Sequence, residues 1–193
     1  GKLDDDILLP PGWTERIGPM IRAEPRFGML GCWIFMESDW DDEAARLNTI
    51  ETPVGPVLRV TTSAGCSFLM RKEHAFAYTL DEQRGHGIPL DRPQMTFDGL
   101  ISGIALPPLF AHHMDDPRSK YCIKTNPDGS PSSLTARSLK FGSLDDYAQW
   151  IAKDARERLT VPFKKQVRRT LVRARGTRLS RLQERAMKIA GMW

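Results

Sequence analysis

The sequence predicts an α/β (α+β) fold: a small mixed-sheet core over residues 1–142, entered through an irregular N-terminal arm, and a basic helical extension over residues 143–193. Three observations carry this. Short apolar, β-branched runs bounded by Gly and Pro recur through the first part of the chain, capped helical stripes follow Ser143, and charge divides between the two parts. Residues 143–193 hold 13 Lys and Arg against 5 Asp and Glu, whereas residues 1–142 hold 15 against 19. Such a split points to a densely anionic partner, and a phosphate backbone is the commonest one.

Length and composition bound the rest. A chain of 193 residues, 40% apolar and 27% charged, reads as one globular unit. It has no apolar run of about 18 residues, so membrane insertion is not expected. The acidic opening GKLDDDILLPPGW is unlike a secretory signal. Cys32, Cys66 and Cys122 form no CxxC pair, which suits a reducing compartment, and a cytoplasmic location is expected.

Taken in order, residues 1–30 hold four of the 14 prolines and four of the 15 glycines, which predicts ordered coil. Cys32 to Met36 is the first expected strand. A helix over Asp39 to Leu47 follows, its acidic start matched to the helix dipole. Val57 to Thr62 reads as a strand after the turn of Pro53, Gly55 and Pro56. FLMRKEHAFAYTL is either a helix capped by Ser67 or the return strand of a hairpin, since both periodicities fit. Leu100 to Met114 suggests a strand or short helix broken by Pro107 and Pro108. NPDG at Asn126 to Gly129 predicts a turn between strands at Tyr121–Lys124 and Leu134–Phe141. Ser143 with Asp146 forms a capping box ahead of the stripe Leu144, Tyr147, Ile151 and Ala155. Thr160 as cap, with Pro162 in the first turn, predicts a second helix carrying Phe163, Val167 and Leu171 and ending at Gly176. Thr177 is expected to cap a third.

The chemistry concentrates in two places. Between Arg158 and Gln183 there are nine Lys or Arg residues and no acid. The helical stripes leave Lys164, Lys165, Arg168, Arg169, Arg173, Arg175, Arg178 and Arg181 on outer faces, as expected of a nucleic-acid-binding surface; the plainer reading is a solvated basic face. In the second place, strand, Ser63-Ala64-Gly65-Cys66-Ser67 and helix form a layout whose backbone N–H groups can cradle a phosphate, with Gly65, Cys66 and Ser67 as candidate contacts. Arg71, Lys72, Glu73 and His74 follow as candidates for charge neutralisation and acid or base chemistry, against the plainer reading of a mixed surface face.

Residues 60–78, VTTSAGCSFLMRKEHAFAY, resemble the strand, Gly-Cys loop and helix of the ParB and sulfiredoxin superfamily, in which that loop contacts nucleotide phosphates. Gly65 and Cys66 carry over. Ser67 and Phe68 stand where sulfiredoxins have His and Arg. In length and charge layout the whole chain is similar to a plasmid fertility inhibition factor of that superfamily. This resemblance implies ATPase and DNase activity, with ATP as cofactor, acting on transferred single- or double-stranded DNA; magnesium is a candidate second cofactor for phosphodiester hydrolysis. It also implies contact with type IV secretion or relaxase components, whose DNA transfer such a factor blocks. A non-catalytic plasmid DNA-binding regulator and an RNA-processing nuclease remain open alternatives.

Other clusters have simpler accounts. His112, His113, Asp115 and Asp116 are metal-ligand types, but neighbours on an extended chain point to opposite sides, so no metal site is assigned. Glu37, Asp39, Asp41, Asp42 and Glu43 could hold magnesium, yet a carboxylate-rich helix start explains them. His86 between two glycines reads as a loop residue. The five tryptophans include no side-by-side pair that would mark a stacking platform. Walker, GxSxG, HExxH and dinucleotide-binding patterns are absent.

Overall fold

A six-stranded sheet, mixed in direction, organises the chain. The computed structural model describes residues 1–61, 67–78, 92–123, 126 and 130–174. In chain order the strands are β1 (Lys2–Leu3), β2 (Ile7–Leu8), β3 (Phe27–Gly31), β4 (Thr49–Ile50), β5 (Val57–Arg59), β6 (Ser67–Leu69), β7 (Ile101–Ala105) and β8 (His112–His113). The helices are α1 (Trp13–Ala23), α2 (Asp42–Arg46), α3 (Lys72–Tyr78), α4 (Arg92–Phe97), α5 (Leu134–Ser138), α6 (Leu144–Thr160) and α7 (Phe163–Ala174). The main sheet runs β1-β6-β3-β7-β5-β4, while β2 and β8 form a separate pair. Among the described strands only β3 and β7 pair in parallel; the other neighbours are antiparallel. The fold is therefore α+β, as the sequence predicts.

Register decides which side chains face which helix. Leu58, Ile104, Gly31 and Phe68 stand opposite one another across four strands and so share a face. On that face Leu58 and Ile104 meet Tyr147, Ile151, Ala155 and Leu159 of α6 and Ala45 of α2. Val57 and Ala105, one residue along, face Ile17 and Ile21 of α1 on the other side. Covered on both faces, β3 is buried along its whole length, which accounts for its unbroken FGMLG run. Gly103 is required by close approach: a Cβ there would lie 2.1 Å from the Leu58 carbonyl oxygen.

Several elements depart from expectation. Residues 1–30 are not coil, because Trp13, Ile17 and Ile21 form a four-residue stripe that α1 buries despite Pro19 within it. The first long strand is β3, five residues before the expected Cys32–Met36, where Trp33 makes only an isolated bridge to Phe110. Leu134–Ser138 is helical rather than extended, capped by Ser133 Oγ, which accepts from Ala136 N–H at 3.0 Å. The acidic helix is confined to α2, capped by Asp41 and preceded by a 3-10 turn at Glu37–Asp39. Residues 127–129 of the NPDG turn, the helix expected from Thr177, and His86 and Trp193 lie outside the described residues.

The core runs across the boundary expected at residue 142, since α6 supplies four of its buried side chains. Ser143 caps α6 as predicted, its Oγ accepting from Asp146 N–H at 3.1 Å. Thr160 does not cap α7; its hydroxyl donates back to Arg156 within α6. The cap comes instead from Asn48, far away in sequence, whose Oδ1 accepts from Phe163 N–H at 2.7 Å. The Asn48 amide also donates to the carbonyls of Arg158, Leu159 and Val161 at 2.9–3.2 Å, and the residue is 1% exposed. Among the described residues no helix is long and apolar enough to cross a membrane.

Asn48→Ala leaves the Leu159 carbonyl and the first N–H of α7 without their side-chain partner in a buried place, while Gln166 still reaches the Arg158 and Val161 carbonyls, and is expected to destabilise the protein by about 2–4 kcal/mol. Asn48→Asp is expected to be no better, since its carboxylate would face three carbonyls. Urea denaturation midpoints check this; a loss below about 1 kcal/mol would contradict the role assigned to the amide.

Candidate nucleic-acid interface

The hydrophobic face of α7 docks it to the body: Val167 is 4% exposed and Phe163 is half-buried. That docking turns Lys164, Lys165, Arg168 and Arg169 outward, all four exposed. Gln166 stays inward, donating to the carbonyls of Arg158 and Val161 at 3.0 and 2.8 Å, so the joint between α6 and α7 is closed from both sides. Arg169 pairs with Glu157 of α6 at 2.7 Å; both side chains are nearly half exposed, so the pair adds little stability and yields readily to another anion. Arg173 lies on α7, while Arg175, Arg178 and Arg181 lie outside the described residues.

Sequence reasoning missed Arg59. It ends β5 directly after two fully buried residues, and its guanidinium carbon sits 4.2 Å from the centroid of the Phe163 ring at the start of α7. The available signal was the arginine itself, lodged in the otherwise apolar run VLRV.

The second candidate region is arranged differently from the strand, loop and helix expected. Ser67 is not at a helix start; it lies in β6 opposite Leu3, with 0% exposure and its hydroxyl without a partner. Strand wins here because Phe68 buries against Met29 and Met95. The helix begins only at Lys72. Gly65 and Cys66 lie outside the described residues.

Arg71 and Glu73 are brought together at 3.1 Å, and Arg71 also donates to the Arg22 carbonyl at the end of α1 at 2.7 Å. His74 turns back to the sheet, its Nδ1 3.0 Å from the Phe27 carbonyl oxygen. A carbonyl only accepts, so that contact places the proton on Nδ1 and leaves Nε2 as the ring's other nitrogen. Lys72 points along α3, its Nζ 5.7 Å from the exposed Phe76 ring. Hydrogen bonds from its own backbone and then from Arg71 hold the Glu73 carboxyl below its ordinary range, away from the value that suits a base near neutrality. The four residues thus adjoin one another in sequence, but their functional groups do not converge.

The acids and histidines are likewise engaged. Arg118 bridges Asp39 and Asp116, with a hydrogen bond of 2.7 Å to each. Burial alone would lower its pKa, but these two carboxylates outweigh that and raise it. Asp115 Oδ2 accepts from Tyr147 O–H at 2.9 Å, and Asp115 Oδ1 is closed off without a partner. His113 approaches Asp6 at 4.0 Å while the His112 ring lies tilted beside Tyr121, so β8 sends the two rings to different neighbours. Asp41 caps α2, and Asp42 accepts from the Trp40 indole at 2.8 Å. Among the described residues no group of three or more His, Cys, Asp and Glu is placed to hold a metal ion. Of the tryptophans, Trp33 and Trp40 pack edge to face in the core, and Trp150 stacks on buried Tyr147 with its outer side partly open.

Glu24, at the end of α1 two residues beyond the carbonyl that Arg71 holds, grips Arg26 through both oxygens at 2.8 and 3.0 Å. Hydrogen bonds from Arg26 lower its carboxyl from 4.5 to about 2. A depressed folded-state value means that the stabilisation is complete above pH 4.5 and is lost as pH falls from there toward 2. Thermal unfolding measured across that window should therefore decline less steeply in Glu24→Gln than in the wild type; identical slopes would refute the pairing.

No family model, no curated protein and no solved structure matches this chain.

Proposed function

We propose that this chain acts on DNA in the cytoplasm, gripping the phosphate backbone with the outer face of α7. On this reading it is a fertility inhibition factor of the ParB/sulfiredoxin superfamily. It would cleave DNA with ATP and magnesium as cofactors and engage type IV secretion or relaxase components to block conjugative transfer. The observation that carries DNA binding is the exposed array Lys164, Lys165, Arg168 and Arg169 on a helix whose opposite face is docked. Residues four apart on a helix climb about 6 Å, so Lys164 with Arg168 and Lys165 with Arg169 offer cations at intervals that successive phosphates can meet. Because α7 is already anchored through Asn48 and Gln166, binding would not have to order it. Support for ATP and nuclease chemistry comes from the likeness of residues 60–78 to the superfamily loop.

One observation favours a second reading, a regulator that binds DNA without cleaving it. Arg71 and His74 are committed to the main-chain carbonyls of Arg22 and Phe27, which leaves the nuclease candidates with structural work.

Labelled single- and double-stranded DNA and RNA, incubated with and without magnesium and ATP, separate these readings. Binding should weaken with salt at about one log–log unit per phosphate contacted, and Lys164→Glu with Lys165→Glu should lower that slope by about two units. Magnesium- and ATP-dependent cleavage should vanish in Arg71→Ala, Lys72→Ala, Glu73→Ala; cleavage that survives removes this site. Binding without cleavage selects the regulator, a preference for RNA selects the RNA nuclease, and no association with any oligonucleotide at low salt refutes the proposal.

A further inference from the structure

Among the described residues Arg59 is a cation without a counter-charge. Five arginines of the described residues are half-buried: Arg16, Arg59, Arg71, Arg118 and Arg158. Three of them meet carboxylates, on Glu73, on Asp39 and Asp116, and on Asp154. Arg16 donates to the Pro107 carbonyl. Among the described residues Arg59 meets only the face of Phe163, which attracts a cation but accepts none of its N–H groups, and its Nε is shut away from solvent with no partner there. Burial lowers its pKa with nothing to offset the effect. A half-buried charge that is left unpaired is destabilising, and proteins keep such groups where a ligand supplies the missing partner.

Its surroundings hold this arginine in place. The backbone N–H of Arg59 donates to the Asn48 carbonyl at 3.0 Å, and the Asn48 side chain holds Phe163 N–H, so a single residue fixes both the strand that carries the guanidinium and the ring that faces it. Exposed Lys164 follows that ring. In sequence Arg59 stands six residues before Gly65, at the entry to the stretch singled out as a phosphate loop. A guanidinium steadied on an aromatic ring is suited to paired hydrogen bonds with a phosphoryl group, which an ammonium cannot reproduce.

We propose that Arg59, braced on Phe163 at the root of α7, is a phosphoryl-binding residue that takes an oxyanion of a phosphodiester backbone or of a nucleotide triphosphate. For the first source the inference deepens the DNA-binding reading and rests on it; for the second it stands apart.

The test compares the full chain with its Arg59→Gln, Arg59→Lys and Phe163→Leu variants. Thermal unfolding is followed alone and with sodium pyrophosphate or ATP, and binding to a labelled DNA oligonucleotide is titrated against salt. Without ligand, Arg59→Gln should melt no lower than wild type, because it removes an unpaired charge. Pyrophosphate should raise the wild-type melting temperature and leave that of Arg59→Gln unmoved. If the source is a phosphodiester, DNA affinity should fall about tenfold in Arg59→Gln with about one unit less salt slope, less in Arg59→Lys, and measurably in Phe163→Leu. If it is a nucleotide, ATP protects wild type alone and DNA affinity is unchanged. Wild type that binds no DNA but is protected by pyrophosphate or ATP through Arg59 refutes the DNA reading and upholds this one. DNA binding equal in wild type and Arg59→Gln, with no protection by either anion, overturns this inference and spares the DNA reading. A clear drop in the unliganded melting temperature of both Arg59→Gln and Arg59→Lys, without any anion effect, also overturns it and makes Arg59 structural.

Discussion

A single buried carboxamide ties the strands to the basic helix. Asn48 sits just past α2, and its main-chain carbonyl accepts from Arg59 of β5 while its side chain spans the break between α6 and α7. The last carbonyls of α6 need donors and the first N–H of α7 needs an acceptor. A carboxamide offers two donor hydrogens and an acceptor oxygen on one short side chain, and its two N–H bonds are shared among three carbonyls. The direction in which α7 leaves the body, and hence where its cations point, follows from this contact more than from any preference of the α7 sequence.

The charge split between the two parts of the chain takes on a specific form in three dimensions. Several acids of the first part are engaged within the fold: Asp39 and Asp116 by Arg118, Asp115 by Tyr147, Glu24 by Arg26, and Asp41 as a helix cap. They steady turns and helix ends instead of spreading a uniform negative surface. Cations of α7 are treated in the opposite way, set on an outer face where Glu157 meets Arg169 from the adjoining helix. The asymmetry that matters is therefore between charges used inside the fold and charges presented outside it.

How much could be read beforehand depended on whether the deciding interaction was local. The Ser143 cap and the stripe of α6 lie within a few turns of one another, and both are found where the pattern put them. Of the strand expected over Val57 to Thr62, Val57–Arg59 was legible because β-branched residues follow a turn signal, and the strand stops there. Counting Pro and Gly hid α1, since that tally ignored a stripe which tertiary burial rewards. Leu134–Ser138 was read as a strand because its Ser133 cap was overlooked in favour of the turn before it. The α7 cap was beyond local reading altogether, for nothing near Phe163 announces Asn48. Candidate site residues divide in the same way: exposure of the α7 cations followed from periodicity, whereas the diversion of Arg71 and His74 to carbonyls of α1 and β3 is a property of packing.

Polar satisfaction gives one more view of where the molecule departs from a purely structural logic. Four buried side-chain atoms of the described residues lack a partner, and three of them, Arg59 Nε, Ser67 Oγ and Arg71 Nε, fall between residues 59 and 71. Buried polar atoms are ordinarily paired, because leaving one unpaired costs about 1–3 kcal/mol. The two arginines differ in kind, since Arg71 has other nitrogens bonded to Glu73 and Arg22 while among the described residues the Arg59 guanidinium has only the Phe163 ring. Packing therefore accounts for Arg71 as a brace that tolerates one idle nitrogen. It does not account for Arg59, whose guanidinium lies on the Phe163 ring and meets no carboxylate among the described residues.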